Sequence, residues 1–285
     1  MGKAENQTRG ARSMGLVFLI VLCIVTFGSM FFFLARTWWF PLGASSAAAA
    51  LDHQFVNTGV AMGIAFVVAQ VALGLILWKY RDRDAAASAK YYSGETRSEV
   101  LVLVFAAVLF MAMDIGVDLL GGHLWAAERF RPAEAGATQV EVNGMQFAWY
   151  FRYPGPDGKF GATKPELEDA SLGGEGAVGL DTRDPAGKDD VVSGVMVVPV
   201  NREVEIILRA HDVIHSFGVP AMRVKQDAVP GLAIHSHFTP TRMGDFDLVC
   251  SQLCGLGHYK MHGIIRVVTQ DEFEKWLAAR EAEKQ

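Results

Sequence analysis

Cysteine is scarce in this chain: three of its 285 residues are cysteines, too few for the disulfide framework of a small secreted scaffold. The Cys-x-x-Cys-His pattern that attaches c-type heme is missing, so we expect no fused heme domain. A strong positive charge is also missing, because the formal net charge is −5. We therefore expect no nucleic-acid partner.

Three long apolar runs precede residue 122, and the remainder has the composition of a soluble domain. The runs cover residues 15–35, 56–78 and 99–120. Each is close to the roughly 20 apolar residues that an α-helix needs to cross a bilayer. The sequence therefore predicts an α-helical membrane anchor, with membrane lipid as one partner.

The first run admits two interpretations, a retained membrane helix or a signal peptide. Lys3, Arg9 and Arg12 precede it and an alanine-rich stretch at 45–50 follows it, as in secretory signals. Its apolar length exceeds the roughly 7–15 residues of a signal-peptide core, which favours a retained helix. On this basis the chain is predicted to have three parts: an additional membrane segment (or signal peptide) with a linker at 1–50, a two-helix membrane hairpin at 51–125, and an outer domain at 126–285.

Basic residues are concentrated on one side of the predicted membrane spans. Three precede the first run, whereas the loop between the first and second runs carries only Arg36. The loop between the second and third runs carries five: Lys79, Arg81, Arg83, Lys90 and Arg97. Because positive loops stay in the cytoplasm, the sequence predicts a multi-pass protein of a bacterial inner membrane, with a cytoplasmic N-terminus and a periplasmic outer domain.

The outer domain is predicted to consist of short strands separated by turns. The candidates are residues 140–142, 196–200, 204–208, 213–219, 232–238, 244–250 and 263–268, followed by a terminal helix at 271–284. Many short strands with turn signals are typical of an all-β sandwich or barrel. Residues 154–193 are rich in Gly, Pro, Asp and Lys, which indicates a long surface loop. Its acidic residues are expected to be solvated, or to offer a docking patch to a basic protein.

One short segment near the C-terminus concentrates metal-ligating residues: Cys250, Cys254, His258 and Met261, with Gln252 between the two cysteines. Two thiolates, an imidazole and a thioether form a soft ligand set, which suits copper better than magnesium, calcium or manganese. A mononuclear blue-copper site needs only one Cys. The second Cys therefore indicates a binuclear copper centre in which both thiolates bridge the metals.

Two other interpretations of this segment stay open. Cys250 and Cys254 could form a disulfide, since the predicted topology places them on the oxidising side of the membrane. A zinc site could use both cysteines, His258 and a distant histidine. Neither interpretation explains Met261, which is a poor zinc ligand but a common core residue.

Four separated motifs carry a family resemblance. They are the run CSQLCGLGH at Cys250–His258, the run DVIHSFGVP at Asp212–Pro220, the segment Lys225–Gly231 and the aromatic run Phe147–Tyr153. Together they resemble subunit II of the heme–copper respiratory oxidases, the copper-bearing subunit of cytochrome c oxidase, over the range Leu51–Trp276. The resemblance implies a cupredoxin-like Greek-key sandwich or barrel for the outer domain.

The resemblance also implies which residues bind copper. Two copper ions would be bridged by the two cysteine thiolates. His215 and Met261 would complete the coordination of one copper, and His258 and the backbone carbonyl of Gln252 that of the other. A buried and closed set of ligands favours electron transfer over the transformation of a substrate.

The chain departs from the family pattern in its side chains. Gln252 stands where many members have a Glu that helps to bind magnesium at the subunit boundary, which makes magnesium doubtful. Phe147 stands where many relatives have the Trp that takes electrons from cytochrome c, so Phe147 and Trp149 are both candidates for that role. Glu99 begins the third run, where the family has a carboxylate near a proton-uptake path, although a helix N-terminus favours a carboxylate by itself.

These features predict the electron-accepting subunit of a terminal respiratory oxidase. It would receive electrons from cytochrome c at the copper centre and pass them to heme in subunit I, where oxygen reduction is coupled to proton translocation. Two alternatives remain: the copper subunit of a nitric oxide reductase of the same superfamily, and a membrane-tethered copper carrier without a catalytic partner. A quinol oxidase subunit is disfavoured, because those relatives lack the copper ligands.

Overall fold

The structure is a computed structural model that describes residues 2–36, 39–80, 91, 93–169 and 171–284. Contacts divide the chain into two compact units. The first comprises Met1–Trp39 and His53–Gly122, and the second comprises Phe40–Asp52 and His123–Gln285. The predicted boundaries at residues 50 and 125 stay predictions.

Three long helices, α1 (Gly2–Ala35), α2 (Ala48–Lys79) and α3 (Arg97–Arg129), contain the predicted apolar runs. Each includes a stretch long and apolar enough to cross a membrane, with mean hydropathies of 2.8, 2.5 and 2.7. The helices are longer than the runs, because backbone hydrogen bonds continue a helix through polar residues that lie beyond the apolar stretch. Part of the basic loop used to predict orientation lies outside the described residues: Arg81, Arg83 and Lys90.

The second unit contains two five-stranded sheets. One consists of β1 (Thr138–Met145), β2 (Ala148–Tyr153), β3 (Val191–Ser193), β5 (Val204–Ala210) and β8 (Ile234–Phe238), in the order β3-β2-β1-β5-β8. The other consists of β4 (Met196–Pro199), β6 (His215–Val219), β7 (Val224–Ala228), β9 (Gly244–Cys250) and β10 (His262–Val268), in the order β4-β10-β9-β6-β7. The pairs β1–β5 and β4–β10 are parallel, and the remaining pairs are antiparallel.

The two sheets share one core, which is formed by apolar residues that alternate along their strands. Val204, Ile206 and Leu208 of β5 are fully buried, while the residues between them are partly exposed. Because side chains of a strand alternate between its two faces, this pattern puts one face of β5 against the opposite sheet. Burial of each such side chain stabilises the fold by about 1.5–3 kcal/mol. The predicted two-layer sandwich is therefore confirmed.

The C-terminal helix α5 (Gln270–Ala282) begins with a complete capping box. The Thr269 hydroxyl accepts a hydrogen bond from the Glu272 backbone N–H, and the Glu272 carboxylate accepts one from the Thr269 N–H. These two bonds pair backbone donors that a helix start leaves without partners. Phe273 and Trp276 of this helix pack on Tyr153 of β2, with ring centroids 6.1 and 5.0 Å away.

The segment predicted as a long surface loop is ordered around buried charges. It contains the short helix α4 (Gly174–Ala177), and Asp190 is completely buried. The Arg152 guanidinium donates to the Asp190 carboxylate at 2.8 Å and to both carboxylate oxygens of Glu141 at 2.9 Å. The expectation of solvated acidic residues is wrong for Asp190 and for Asp181, which is also buried and paired with Lys164 at 2.6 Å.

Candidate metal centre

Pairing of β6 with β9 brings together ligands that are distant in sequence. His215 begins β6 and Cys250 ends β9, and Phe217 pairs with Cys250 in the sheet register. The chain then forms the ligand loop, residues 250–261, which closes where the Cys250 N–H donates to the Met261 carbonyl at 3.1 Å. Two sheet neighbours and one closed loop thus hold every predicted ligand.

The two thiols face each other without a covalent bond. The Sγ atoms of Cys250 and Cys254 are 3.9 Å apart, well beyond the ~2.05 Å of a disulfide. Both cysteines are free and buried. The predicted disulfide alternative is therefore absent from this structure.

Four further donor atoms surround the thiols. His215 Nδ1 lies 3.9 Å and the Gln252 carbonyl oxygen 3.2 Å from Cys250 Sγ. His258 Nδ1 lies 3.6 Å and Met261 Sδ 3.7 Å from Cys254 Sγ. Within the described part of the chain, His215 and the two cysteines form the one group of three such residues close enough to hold a metal ion.

The arrangement fits copper by the chemistry of its donors. Two sulfurs 3.9 Å apart are close to the spacing of two thiolates that share a metal at about 2.3 Å each. The thioether of Met261 is buried and turned toward Cys254, which a zinc site does not require. Soft thiolate and thioether ligands with imidazole are the set that copper prefers. The ligand roles themselves stay predictions.

Metal binding at this site is coupled to loss of the proton of the Cys254 thiol. Burial and the neighbouring Cys250 raise the pKa of the Cys254 thiol to about 11. A thiol with this pKa is protonated at neutral pH, whereas a metal ligand must be a thiolate. A metal that binds here must therefore displace the proton of Cys254.

Asp212 orients the distant histidine and was missed by sequence reasoning. Its Oδ1 lies 2.8 Å from His215 Nε2, and its Oδ2 accepts a hydrogen bond from the Gln146 backbone N–H at 2.7 Å. Burial disfavours ionisation, but the hydrogen bonds from His215, Gln146 and Val213 outweigh it and hold the pKa of Asp212 below its usual value. Because Asp212 takes the outer ring nitrogen, Nδ1 is left facing the thiol, as carboxylate partners of metal-binding histidines commonly arrange. Its position three residues before His215 was the available signal.

The two aromatic candidates for electron transfer occupy different environments. Trp149 is 3% exposed and its ring meets the His215 ring edge-on, with centroids 5.9 Å apart. Trp149 is therefore not the surface aromatic that its candidate role assumed. Phe147 is 37% exposed and its ring lies against the backbone of Gly255 and Gly257 in the ligand loop.

Glu99 lies in the first turn of α3 and caps that helix. Its carboxylate accepts a hydrogen bond from the Thr96 N–H at 3.1 Å, while its own N–H donates to the Thr96 hydroxyl at 3.4 Å. This reciprocal pair is a capping box, which stabilises a helix start without any catalytic role. The proton-uptake role of Glu99 stays a prediction.

Three other histidines near β6 and β8 have partners away from the thiols. His211 Nε2 lies 2.9 Å from Asn143 Oδ1, and its Nδ1 lies 2.7 Å from Glu168. His235 contacts Glu205, and His237 contacts Glu203 and the Arg131 carbonyl. Among the histidines that precede the ligand loop within the second unit, His215 is the one that the structure places beside Cys250.

Comparisons with known proteins give the class. Residues 139–268 match the family model described as cytochrome c oxidase subunit II, periplasmic domain. The chain is 30% identical over 260 residues to the alternative cytochrome c oxidase subunit 2 of Bradyrhizobium diazoefficiens, covering 90% of each protein. It is 34% identical over 143 residues to cytochrome c oxidase subunit 2 of Thermostichus vulcanus, covering 50% of this chain and 33% of that protein.

A solved structure is also similar. The periplasmic domain of subunit II of cytochrome oxidase from Bradyrhizobium japonicum is 30% identical, with a TM-score of 0.40 over 54% of this chain and 100% of that domain. The family match, the two-sheet sandwich and the apolar helices together define a membrane-anchored, cupredoxin-like subunit of an oxidoreductase complex. The chain belongs to the cytochrome c oxidase subunit II family.

Membership confirms several predictions in their general form. The predicted family and the combination of helical anchor with cupredoxin-like domain are confirmed. The family implies a copper centre, assembly with subunit I and other oxidase subunits, and an extracytoplasmic position for the β domain. Individual side chains are the basis for what we propose below on the number of copper ions, the electron donor and the orientation of each helix.

Proposed function

We propose that this chain accepts single electrons from a c-type cytochrome at a binuclear copper centre and passes them to heme in subunit I. Oxygen reduction coupled to proton translocation would take place in that partner. The observation that carries the proposal is the pair of buried thiols 3.9 Å apart, each with further donors within 4 Å. A single copper needs one such thiol, whereas two coppers need both as bridges.

The ligand assignment is the one that the family resemblance implies, and all of its donors lie within 4 Å of one of the two thiols. Cys250 and Cys254 would bridge the metals, His215 and Met261 would complete one copper, and His258 with the Gln252 carbonyl the other. When bound, the metal pair supplies a site that gains and loses one electron. In this assignment the six donors would all be taken up by the two coppers, so the centre would transfer electrons rather than bind a substrate.

The protein holds the donor atoms in place, orients the His215 ring and excludes water from the thiols. His215 lies in a fully buried strand, and Asp212 holds its ring. Burial of the thiols and of Met261 excludes water from the inner side of the centre. Such a preorganised site needs little rearrangement when its charge changes, which is the requirement for fast electron transfer.

Exposed apolar side chains beside the ligands support a docking role for a protein donor. Leu253, Leu256 and Tyr259 of the ligand loop are 78%, 98% and 78% exposed. Phe147 lies against the same loop and is partly exposed. Exposed apolar patches of this kind are typical of protein interaction sites. We therefore place electron transfer from the cytochrome at Phe147 and the ligand loop rather than at the buried Trp149.

Two further proposals, on magnesium and on membrane topology, rest on individual side chains. Gln252 offers a neutral amide instead of a carboxylate, so this chain supplies a weak ligand for magnesium. Basic residues flank the helix ends that we assign to the cytoplasm, which places the N-terminus inside and the β domain in the periplasm of a bacterial inner membrane. Three helices long enough to span the bilayer support this topology.

Electron paramagnetic resonance of the purified, copper-loaded full chain tests the centre. We expect hyperfine splitting from one unpaired electron shared equally by two copper nuclei. Cys254→Ser should convert the spectrum to that of a single nucleus, and Cys23→Ser, which alters a cysteine in α1, should leave it unchanged. A single-nucleus spectrum from the unsubstituted chain would contradict the proposal.

Copurification and turnover separate the rival functions. An oxidase subunit should copurify with heme-bearing partners that consume oxygen when reduced cytochrome c is supplied. A partner that reduces nitric oxide but not oxygen would assign the chain to a nitric oxide reductase. A carrier should purify alone and lose copper quickly to a chelator.

A further inference from the structure

The chain between α1 and α2, together with the first residues of α2, is bound along the β sandwich. We name Phe40–Asp52 the strap. The Ala44 N–H donates to the Ala221 carbonyl at 2.7 Å, and the Ala44 carbonyl accepts from the Thr241 N–H at 2.8 Å. The Ser46 N–H donates to the Thr239 carbonyl at 3.0 Å, and the Ser45 hydroxyl donates to the Met222 carbonyl at 2.7 Å. Ala44 is completely buried.

Arg223 clamps the strap at both ends. Its Nε and Nη2 donate to the two carboxylate oxygens of Asp52 at 2.7 and 2.9 Å. Nη2 also donates to the Pro41 carbonyl at 2.8 Å, and the guanidinium lies 5.0 Å from the centre of the Phe40 ring. A bidentate pair between arginine and carboxylate is among the stronger and more directional polar contacts in proteins.

The strap joins two chain segments that are adjacent in sequence to the edge strands of the two sheets. Thr239–Thr241 follow β8, which is the edge strand of one sheet. Ala221–Arg223 form the turn between β6 and β7, and β7 is the edge strand of the other. Edge strands present unpaired backbone groups that proteins cover or interrupt. The strap is bound next to one end of each edge strand, and it holds the turn that follows the His215 strand.

Helices α1 and α2 pack against each other, with glycines of α2 beside large side chains of α1. A Cβ added at Gly59 would lie 2.7 Å from the Phe33 ring, and one at Gly74 would lie 3.3 Å from Leu22 Cδ2. Gly59 thus leaves the space that Phe33 fills. Trp39 lies at the end of this contact, with its ring 5.6 Å from those of Phe33 and Phe55. Small residues at an interface allow membrane helices to pack closely.

From these two sets of contacts we infer that α1 is retained in the mature protein as a membrane helix in addition to α2 and α3. We also infer that the strap is an integral part of the β domain. The alanine-rich stretch at 45–50 is then not a processing site. Removal of the chain through residue 50 would leave the Ala221, Met222 and Thr239 carbonyls unpaired and would take away the Phe33 ring that Gly59 accommodates. The inference does not depend on the copper chemistry.

Mass spectrometry of the full-length gene product purified from membranes tests the retention of α1. We expect an N-terminus before residue 16, so that the complete apolar stretch Leu16–Ala35 is present. A mature N-terminus anywhere after residue 16 would overturn the inference. The copper content can be measured on the same sample, so failure of the proposed function is distinguished from failure of this inference.

Limited proteolysis tests the strap in the same detergent-purified chain. Elastase cleaves after small residues, and we expect the strap to resist it in the unsubstituted protein. Arg223→Gln should accelerate cleavage within residues 40–52 by about tenfold, since it removes charge-assisted hydrogen bonds. Asp52→Asn should do the same to a smaller extent.

A matched control removes an exposed ion pair that does not involve the strap. Arg266 pairs bidentately with Asp245 between β10 and β9. Arg266→Gln should leave the strap cleavage rate unchanged. Equal cleavage rates in the Arg223→Gln and unsubstituted proteins would show that the strap is not held by this contact and would overturn its role.

Discussion

Gly257→Ala is expected to disturb the ligand loop through one added methyl group. A Cβ built at Gly257 would lie 2.6 Å from Cε2 of Phe147 and 2.7 Å from its Cγ. Contacts this short are not tolerated, so either the Phe147 ring or the loop must move. Because the loop carries both cysteines, a displacement there reaches the proposed metal ligands.

The size of the effect follows from two opposing terms. Overpacking by a methyl group costs about 1–3 kcal/mol when neighbours cannot move freely. The backbone of Gly257 has φ −93°, which alanine also adopts, so the substitution regains about 0.4–1 kcal/mol by restricting the unfolded chain. We expect a net loss of about 1–2 kcal/mol, and each kcal/mol lowers the midpoint of a domain of this size by about 2–4 °C.

Thermal unfolding of the purified chain, followed by circular dichroism and by the visible absorption of bound copper, measures this loss. Gly194→Ala is the matched control, because a Cβ there meets nothing within 4 Å. Combining Gly257→Ala with Phe147→Ala removes the obstacle, so the double variant should lose less stability than the two single losses added together. If Gly257→Ala melts and absorbs like the unsubstituted protein, the assigned contact between Phe147 and the ligand loop is wrong.

Three further changes have defined outcomes. Arg152→Met leaves Glu141 and Asp190 buried without their shared cation and should destabilise the β domain by about 3–5 kcal/mol in a thermal melt, whereas an unchanged midpoint would refute a structural role. Asp212→Asn should weaken copper binding about 10–100-fold in a chelator competition, because His215 loses its charged partner; equal affinity would contradict that orientation. Burial opposes ionisation of Glu141, but Arg152, Asn143 and Arg209 together outweigh it and lower the carboxyl pKa, so this stabilisation is present above the ordinary value of 4.5 and is lost as the pH falls through the folded-state pKa. Acid titration of the melting temperature should therefore show a decline below pH 4.5 that Arg152→Met reduces.

The ligand loop could be predicted from sequence because its chemistry is local. Four ligand side chains lie within twelve consecutive positions, and soft donors at that density are typical of a metal site. His215 could not be found in this way. It approaches Cys250 only through the pairing of β6 with β9, a contact between distant segments, and the family resemblance supplied it.

The alternation of the aromatic run carries information on which of its side chains are buried. Trp149, Phe151 and Tyr153 are two positions apart and share the inner face of β2. Phe147 has the same parity, yet it belongs to the turn before the strand and therefore escapes the alternation. The buried charges of the 154–193 segment were unpredictable for a different reason, since the partner of Asp190 lies on a strand 38 residues earlier.

The strap also bears on when the fold can be completed. Ser45 and Met222 are 177 positions apart, so the strap is synthesised and delivered to the membrane long before its partners emerge from the ribosome. Closing so long a loop carries an entropic cost that must be met by contacts formed late. The contacts of the strap with residues 221–223 and 239–241 therefore form only after most of the chain has been synthesised, which makes the strap one of the last parts of the second unit to be fixed.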